Sequence, residues 1–127
     1  MILAAGNGDR FKHSTHRSKL LHPVLGRPLI LRTLETAALA GVTRFVVVVG
    51  FEGDRLRDLV ERNAPPGIAI RFVRNDDWHL ENGVSALAAR LAIGQRRFAL
   101  LMGDHLFDAV VLRRLLQHPV ADGDSLL

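Results

Sequence analysis

The sequence contains no cysteine and no tyrosine, a single tryptophan, and no apolar run of membrane-spanning length. Without cysteine there is no disulfide, thiolate zinc site or cysteine nucleophile. A bilayer span needs roughly 20 apolar residues, and no basic-then-apolar leader opens the chain, so a cytoplasmic location is expected. Six phenylalanines and one tryptophan leave little surface on which successive bases could stack. Positive charge is in moderate excess, with 17 Lys plus Arg against 13 Asp plus Glu and a net charge of +4. The basic residues form no dense run. This balance favours a small polyanion such as a nucleoside triphosphate over nucleic acid.

What is present is an alternation of strand and helix patterns within 127 residues, a length that suits one domain. Met1 to Ala4 is a short apolar run, followed by a polar loop to about Lys19. Pro28 opens a helical pattern carrying Leu29, Ile30, Thr33, Leu34, Ala37 and Ala38, and Gly41 closes it. Thr43 to Gly50 is a nearly unbroken β-branched run, as expected of a strand buried on both faces. Asp54 to Asn63 reads as a surface helix, and Ile68 to Val73 as a third strand after Pro65-Pro66-Gly67. A helix is expected with Val84, Leu87, Ala88, Leu91 and Ala92 in register, then a strand over Arg97 to Met102. Asp108 is placed to cap a helix bearing Val111, Leu112, Leu115 and Leu116, and the tail from Gly123 reads as a turn entering another strand. The pattern predicts an α/β fold: a three-layer αβα, Rossmann-like, mostly parallel sheet.

In such sheets ligands collect at the carboxyl ends of the strands. Three segments fall there: Gly6-Asn7-Gly8, Glu81-Asn82-Gly83-Val84-Ser85, and Gly103-Asp104-His105. Gly6 and Gly8 let backbone N–H groups approach an anion, although a plain surface turn would also use them. Phe11 occupies the third glycine position of a dinucleotide fingerprint, and Glu52 is the nearest candidate for its ribose-binding acid. The G-x-x-x-x-G-K-[ST] loop is absent as well. Asp104 offers the carboxylate oxygens that Mg²⁺ favours, or it caps a turn. Asn82 fits a helix N-cap and also carries an amide able to read a base edge. His13, His16 and His22 lack carboxylate or thiolate companions, which argues against zinc.

These residues resemble a known family. Leu3-Ala4-Ala5-Gly6-Asn7-Gly8-Asp9-Arg10-Phe11 looks like the L-A-A-G-x-G-x-R-[MFL] signature of the sugar-nucleotide and alcohol-phosphate nucleotidyltransferases, the MobA-like NTP transferase domains. Ser18-Lys19-Leu20-Leu21 and Gly26-Arg27-Pro28-Leu29-Ile30 resemble the family's P-K-x-L and G-[KR]-P-[LM]-[IL] blocks, with serine where proline is usual. Glu81 to Ser85 and Met102 to His105 are most similar to cytidylyltransferases acting on inositol-1-phosphate and phosphocholine-type alcohols.

The resemblance implies the nucleotide-diphospho-sugar transferase fold. It also implies transfer of a nucleoside monophosphate, CMP from CTP by preference, to a phosphorylated sugar, polyol or alcohol, with release of pyrophosphate. By that analogy Arg10 and Lys19 are catalytic, and Asp104 binds Mg²⁺. Leu3, Ala5, Gly6, Gly8, Asp9, Arg10, Lys19, Asn82, Gly83 and Ser85 line the nucleotide site. The family's second metal-binding aspartate and its acceptor-binding half are expected beyond Leu127, and members usually begin a few residues earlier. Residues 1–127 therefore read as the N-terminal nucleotide-binding part of a transferase domain, with weak turnover by themselves. The alternative is a non-catalytic nucleotide-binding or regulatory module of the same fold.

Overall fold

The computed structural model describes residues 1–6, 18–121, 123 and 125. Four strands form a parallel sheet: β1 (Ile2–Ala4), β4 (Arg44–Val49), β5 (Ala69–Arg74) and β6 (Leu101–Met102), in the spatial order β5-β4-β1-β6. Two further strands, β2 (Pro23–Val24) and β3 (Arg27–Pro28), pair antiparallel as a small separate hairpin. The helices are α1 (Leu29–Leu39), α2 (Gly53–Asn63), α3 (Asn82–Ala88), α4 (Arg90–Ile93) and α5 (Ala109–Gln117), with a 3-10 turn at Lys19–Leu21.

Register follows from side-chain alternation. Ile2 pairs with Val47 and Leu101, and Leu3 with Val48 and Met102. Because successive side chains point to opposite faces, Ile2, Ala4, Val47 and Val49 join α1, α2 and α5 in one core. Leu3, Ala5 and Val48 join Ala86, Ala89 and Ile93 of the α3–α4 region in the other. The result is the expected three-layer α/β/α arrangement. β1 is the second strand from one edge: the chain runs outward through β4 and β5 on one side of it and then returns to place β6 on the other. That reversal of strand order opens a crevice beyond the carboxyl ends of β1 and β6, where α/β sheets bind ligands.

Four local expectations need correction. The hairpin β2–β3 occupies a stretch to which no element was assigned and takes in Pro28, expected to open the helix; its two-residue connection is Leu25 and Gly26, both at positive φ. Asn82 is not an N-cap: Glu81 holds that position and Asn82 is the first helical residue. The face expected to be apolar on the following helix is wrong, since Leu87 and Leu91 are exposed at 64% and 92% whereas Ser85 and Ala89 are buried. Small side chains let the helix lie close on Leu3 and Val48, and the helix breaks at Ala89. The strand expected from Arg97 is confined to Leu101–Met102, because β6 pairs only with the three-residue β1. In α5 Asp108 does cap, accepting from Val110 N–H at 2.6 Å, but of its large apolar side chains only Leu112 is buried. The expected strand after Gly123 falls largely on residues outside those described.

Candidate active site

The site is built from the carboxyl end of β1 outward. Leu3 and Ala5 are buried, and their carbonyls are already engaged: Leu3 accepts from Gly103 N–H at 2.9 Å, and Ala5 from Phe51 N–H at 2.9 Å. The first bond fixes the turn after β6, and the second fixes the turn after β4, both against β1. The first turn leaves little space for a side chain at Gly103, and the second leaves none at Gly50. A Cβ on Gly50 would overlap Trp78 Cβ and lie 2.9 Å from Ala5 O; one on Gly103 would lie 3.0 Å from Leu3 O. Gly6, the next residue after Ala5, is exposed at the mouth of the crevice. Gly8, Asp9 and Arg10 lie outside the described residues, as do His13 and His16.

Lys19 and Asp104, 85 residues apart in sequence, meet at this mouth. The Lys19 ammonium donates to Asp104 Oδ2, forming an ion pair whose side chains are 35% and 22% exposed. Each partner is positioned by buried structure. Leu20 inserts into the α1 core and touches the space beside Gly103. Thr33, buried on α1, donates its hydroxyl to Gly103 O at 3.2 Å. Burial pushes the Asp104 carboxyl upward in pKa; Lys19 more than offsets this, helped by the Asp104 backbone amide and His105, so it stays below its ordinary value. Asp104 is therefore an anion at neutral pH. His105 stands further off, its Nε2 3.9 Å from Asp104 Oδ1, and is exposed.

Asn82 and Gly83 are exposed at the start of α3, while Ser85 is buried. The Ser85 hydroxyl accepts from Asn75 Nδ2 at 2.9 Å, and Asn75 Oδ1 accepts from Asp77 N–H at 3.1 Å. Asn75 N–H in turn donates to Val49 O at 2.8 Å. This buried pair attaches α3 to the end of β5, leaving Asn82 and Gly83 at the same end of the sheet as Lys19.

Sequence reasoning missed three contributors, Gly50, Thr33 and Asn75, and considered Glu52 only as a ribose-binding acid. Glu52 accepts the backbone N–H of Ser18 at 2.5 Å and pairs with Arg55 at 2.6 Å. For Glu52 the signal is its place: Gly50-Phe51-Glu52-Gly53 follows a strand as directly as Gly6-Asn7-Gly8 and Gly103-Asp104-His105 do. A cavity of about 510 Å³ between the hairpin and α2 is lined by His22, Arg55, Asp58 and Arg62 among others, and by none of the expected site residues.

The family model for the MobA-like NTP transferase domain matches residues 1–127. The chain belongs to this family. As a MobA-like NTP transferase domain it is 39% identical over 123 residues to the CMP-5'-(3-aminopropyl)phosphonate synthase of Streptomyces rubellomurinus, covering 95% of this chain and 19% of that protein. It is 36% identical over 117 residues to the bifunctional IPC transferase and DIPP synthase of Rubrobacter xylanophilus, covering 91% of this chain and 26% of that protein. Among solved structures it is similar to a nucleotidyl transferase from Methanothermobacter thermautotroptrophicus, with a TM-score of 0.76 and 27% identity over 92% of this chain and 55% of that one. The domain thus spans about a fifth to a quarter of these curated relatives and about half of the solved chain. No helix among its described residues is long and apolar enough to cross a membrane.

Proposed function

We propose that this domain is the nucleotide-binding part of a cytoplasmic nucleotidyltransferase. Its reaction transfers CMP from CTP to a phosphorylated sugar, polyol or alcohol and releases pyrophosphate. The observation that carries the reading is the meeting of Lys19 and Asp104 at the strand-order reversal. An ammonium and a carboxylate held together on a buried scaffold suit a triphosphate, one as a cation for phosphate oxygens and the other as a ligand for its metal.

In the proposed reaction an acceptor phosphate oxygen forms a bond to the α-phosphorus, and the bond from the α-phosphorus to the bridging oxygen of pyrophosphate breaks. A phosphomonoester has a second pKa of about 6 and is largely ionised at neutral pH, so the chain need not supply a base. Its work is positioning and charge stabilisation. Lys19 would neutralise charge on the α-phosphate. Gly6, with Gly8 and Arg10 of the same loop, would hold the β- and γ-phosphates. Asn82, Gly83 and the segment anchored by Ser85 would lie beside the base and ribose.

Asp104 fits a cation carried in by phosphate: it is anionic, half-buried and an oxygen donor. Among the described residues no group of three His, Cys, Asp or Glu side chains could cage a metal. This agrees with Mg²⁺, which is bound through one or two carboxylates plus substrate phosphates. When bound, Mg²⁺ would supply charge neutralisation and orientation of the phosphates. The alternative is a module that binds nucleotide without turning it over.

A thermal-shift panel of CTP, UTP, GTP and ATP with Mg²⁺ tests the proposal, since a ligand raises apparent stability with its affinity and concentration. CTP should give the largest rise. Equal shifts for all four would remove the cytidine preference, and no shift for any would overturn nucleotide binding. Pyrophosphate release in the presence of an acceptor phosphomonoester, lost in Lys19→Ala, separates the enzyme from the binding module.

A further inference from the structure

Ser18 is fully buried, with φ −56° and ψ 128°. Its hydroxyl accepts from Leu20 N–H at 3.4 Å and so caps the turn that carries Lys19. Its backbone N–H reaches across 34 residues to Glu52 Oε2. Glu52 is itself in the left-handed backbone region, φ 51° and ψ 29°, which side chains other than glycine seldom adopt. Its side chain is only 13% exposed and pairs with Arg55 through the other oxygen. A conformation of this kind persists where surrounding structure holds it, and it marks places under functional constraint.

We propose that Glu52 is a positioning residue for Lys19, acting through the Ser18 N–H. The φ of Ser18 lies within the range that a proline ring would impose. Proline would fix that angle covalently but has no N–H to donate. Serine leaves the angle free and keeps the donor, and the Glu52 carboxylate uses that donor to hold the residue before Lys19 from the end of the neighbouring strand. The chain thus achieves by a charge-assisted hydrogen bond what a ring would achieve by restriction. The value of this placement for Lys19 rests on the functional reading above; the placement itself does not.

The test is a double-mutant cycle on the 127-residue chain with two readouts: hydrogen exchange of the Lys19, Leu20 and Leu21 amides, and affinity for CTP with Mg²⁺. Glu52→Ala should speed exchange at these amides about tenfold or more, the scale of a hydrogen bond to a charged group, and weaken CTP binding. In the Ser18→Pro background the same Glu52 substitution should change either readout by less than about twofold, because the ring already fixes φ. Should Glu52→Ala fail to fold, Glu52→Asn serves instead, since asparagine tolerates the left-handed region but is too short to reach Ser18. An equal effect of the Glu52 substitution in both backgrounds would overturn the proposal, as would unchanged exchange in the single variant. An intact exchange coupling in a chain that binds no CTP would overturn the functional reading and leave the clamp standing.

Discussion

The two faces of the sheet are built differently. One is covered by α1, α2 and α5, and large side chains such as Ile30, Leu34, Leu56 and Val60 are fully buried there. The other is covered by the short α3 and α4, whose buried contribution is the small Ala89 with Ala86 and Ile93 partly buried beside it. On that thinner face a polar pair, Asn75 with Ser85, and the packing of Trp78 on Gly50 do the holding. The difference maps onto the site. Lys19 and Asp104 are braced from the thick face by Leu20 and Thr33, whereas Asn82 and Gly83 sit on the thin one. Phosphate chemistry is proposed beside the face packed with large side chains, and base recognition beside the face packed with small ones.

Substitutions should separate the faces. Leu34→Ala on the thick face should cost about 2–5 kcal/mol in urea unfolding, the range for deleting a buried leucine side chain. A loss under about 1 kcal/mol would mean that this face is not the main source of stability. Gly50→Ala, at the junction of the thin face with β1, should cost about 1–3 kcal/mol, as overpacking does. Neither the Trp78 Cβ nor the Ala5 carbonyl it would strike can retreat without moving backbone. Ser85→Ala should cost about 1 kcal/mol by leaving the Asn75 amide buried without its acceptor, and should lower nucleotide affinity less than Lys19→Ala does. Leu91→Lys should leave stability within about 0.5 kcal/mol, because that side chain is 92% exposed; a larger loss would show that the thin face is better packed than described.

Acid should act on the thick-face side of the crevice. The Asp104 carboxyl is held below its ordinary pKa in the folded chain, so the unfolded state binds its proton first as pH falls. Its stabilising contribution is present above the unfolded carboxylate pKa of about 3.9 and is lost as pH drops through the folded value. Unfolding at pH 3 and pH 7 should therefore differ less in Asp104→Asn than in the parent chain. An unchanged difference would mean that the Lys19 pairing contributes nothing to stability.

The thick face was legible in the sequence because its residues are apolar and periodic: Ile30, Leu34 and Ala37 on a helix, and Val47 and Val49 at alternate positions of a strand. The thin face was not. There the buried residues are Ser85 and Ala89 while Leu87 and Leu91 face outward, so the apolar pattern points the wrong way round. Small side chains permit close approach, and hydrophobicity does not encode that. The carboxyl-end loops after β1 and β6 could be found because glycines and an aspartate follow apolar runs. The partnership of Lys19 with Asp104 could not, since nothing local records a contact between residues so far apart in the chain. Glu52 was visible but was weighed only as a ribose-binding acid; the structure gives it a backbone amide instead.

The central claim is that Lys19 and Asp104 form one triphosphate site at the strand-order reversal. Calorimetric titration of CTP with Mg²⁺ into the parent chain, Lys19→Ala and Asp104→Ala tests it most directly. The account predicts saturable binding by the parent chain, and a loss of about tenfold or more in each variant, the scale of one charge-assisted contact. Equal affinity in all three proteins, with folding intact, would contradict it.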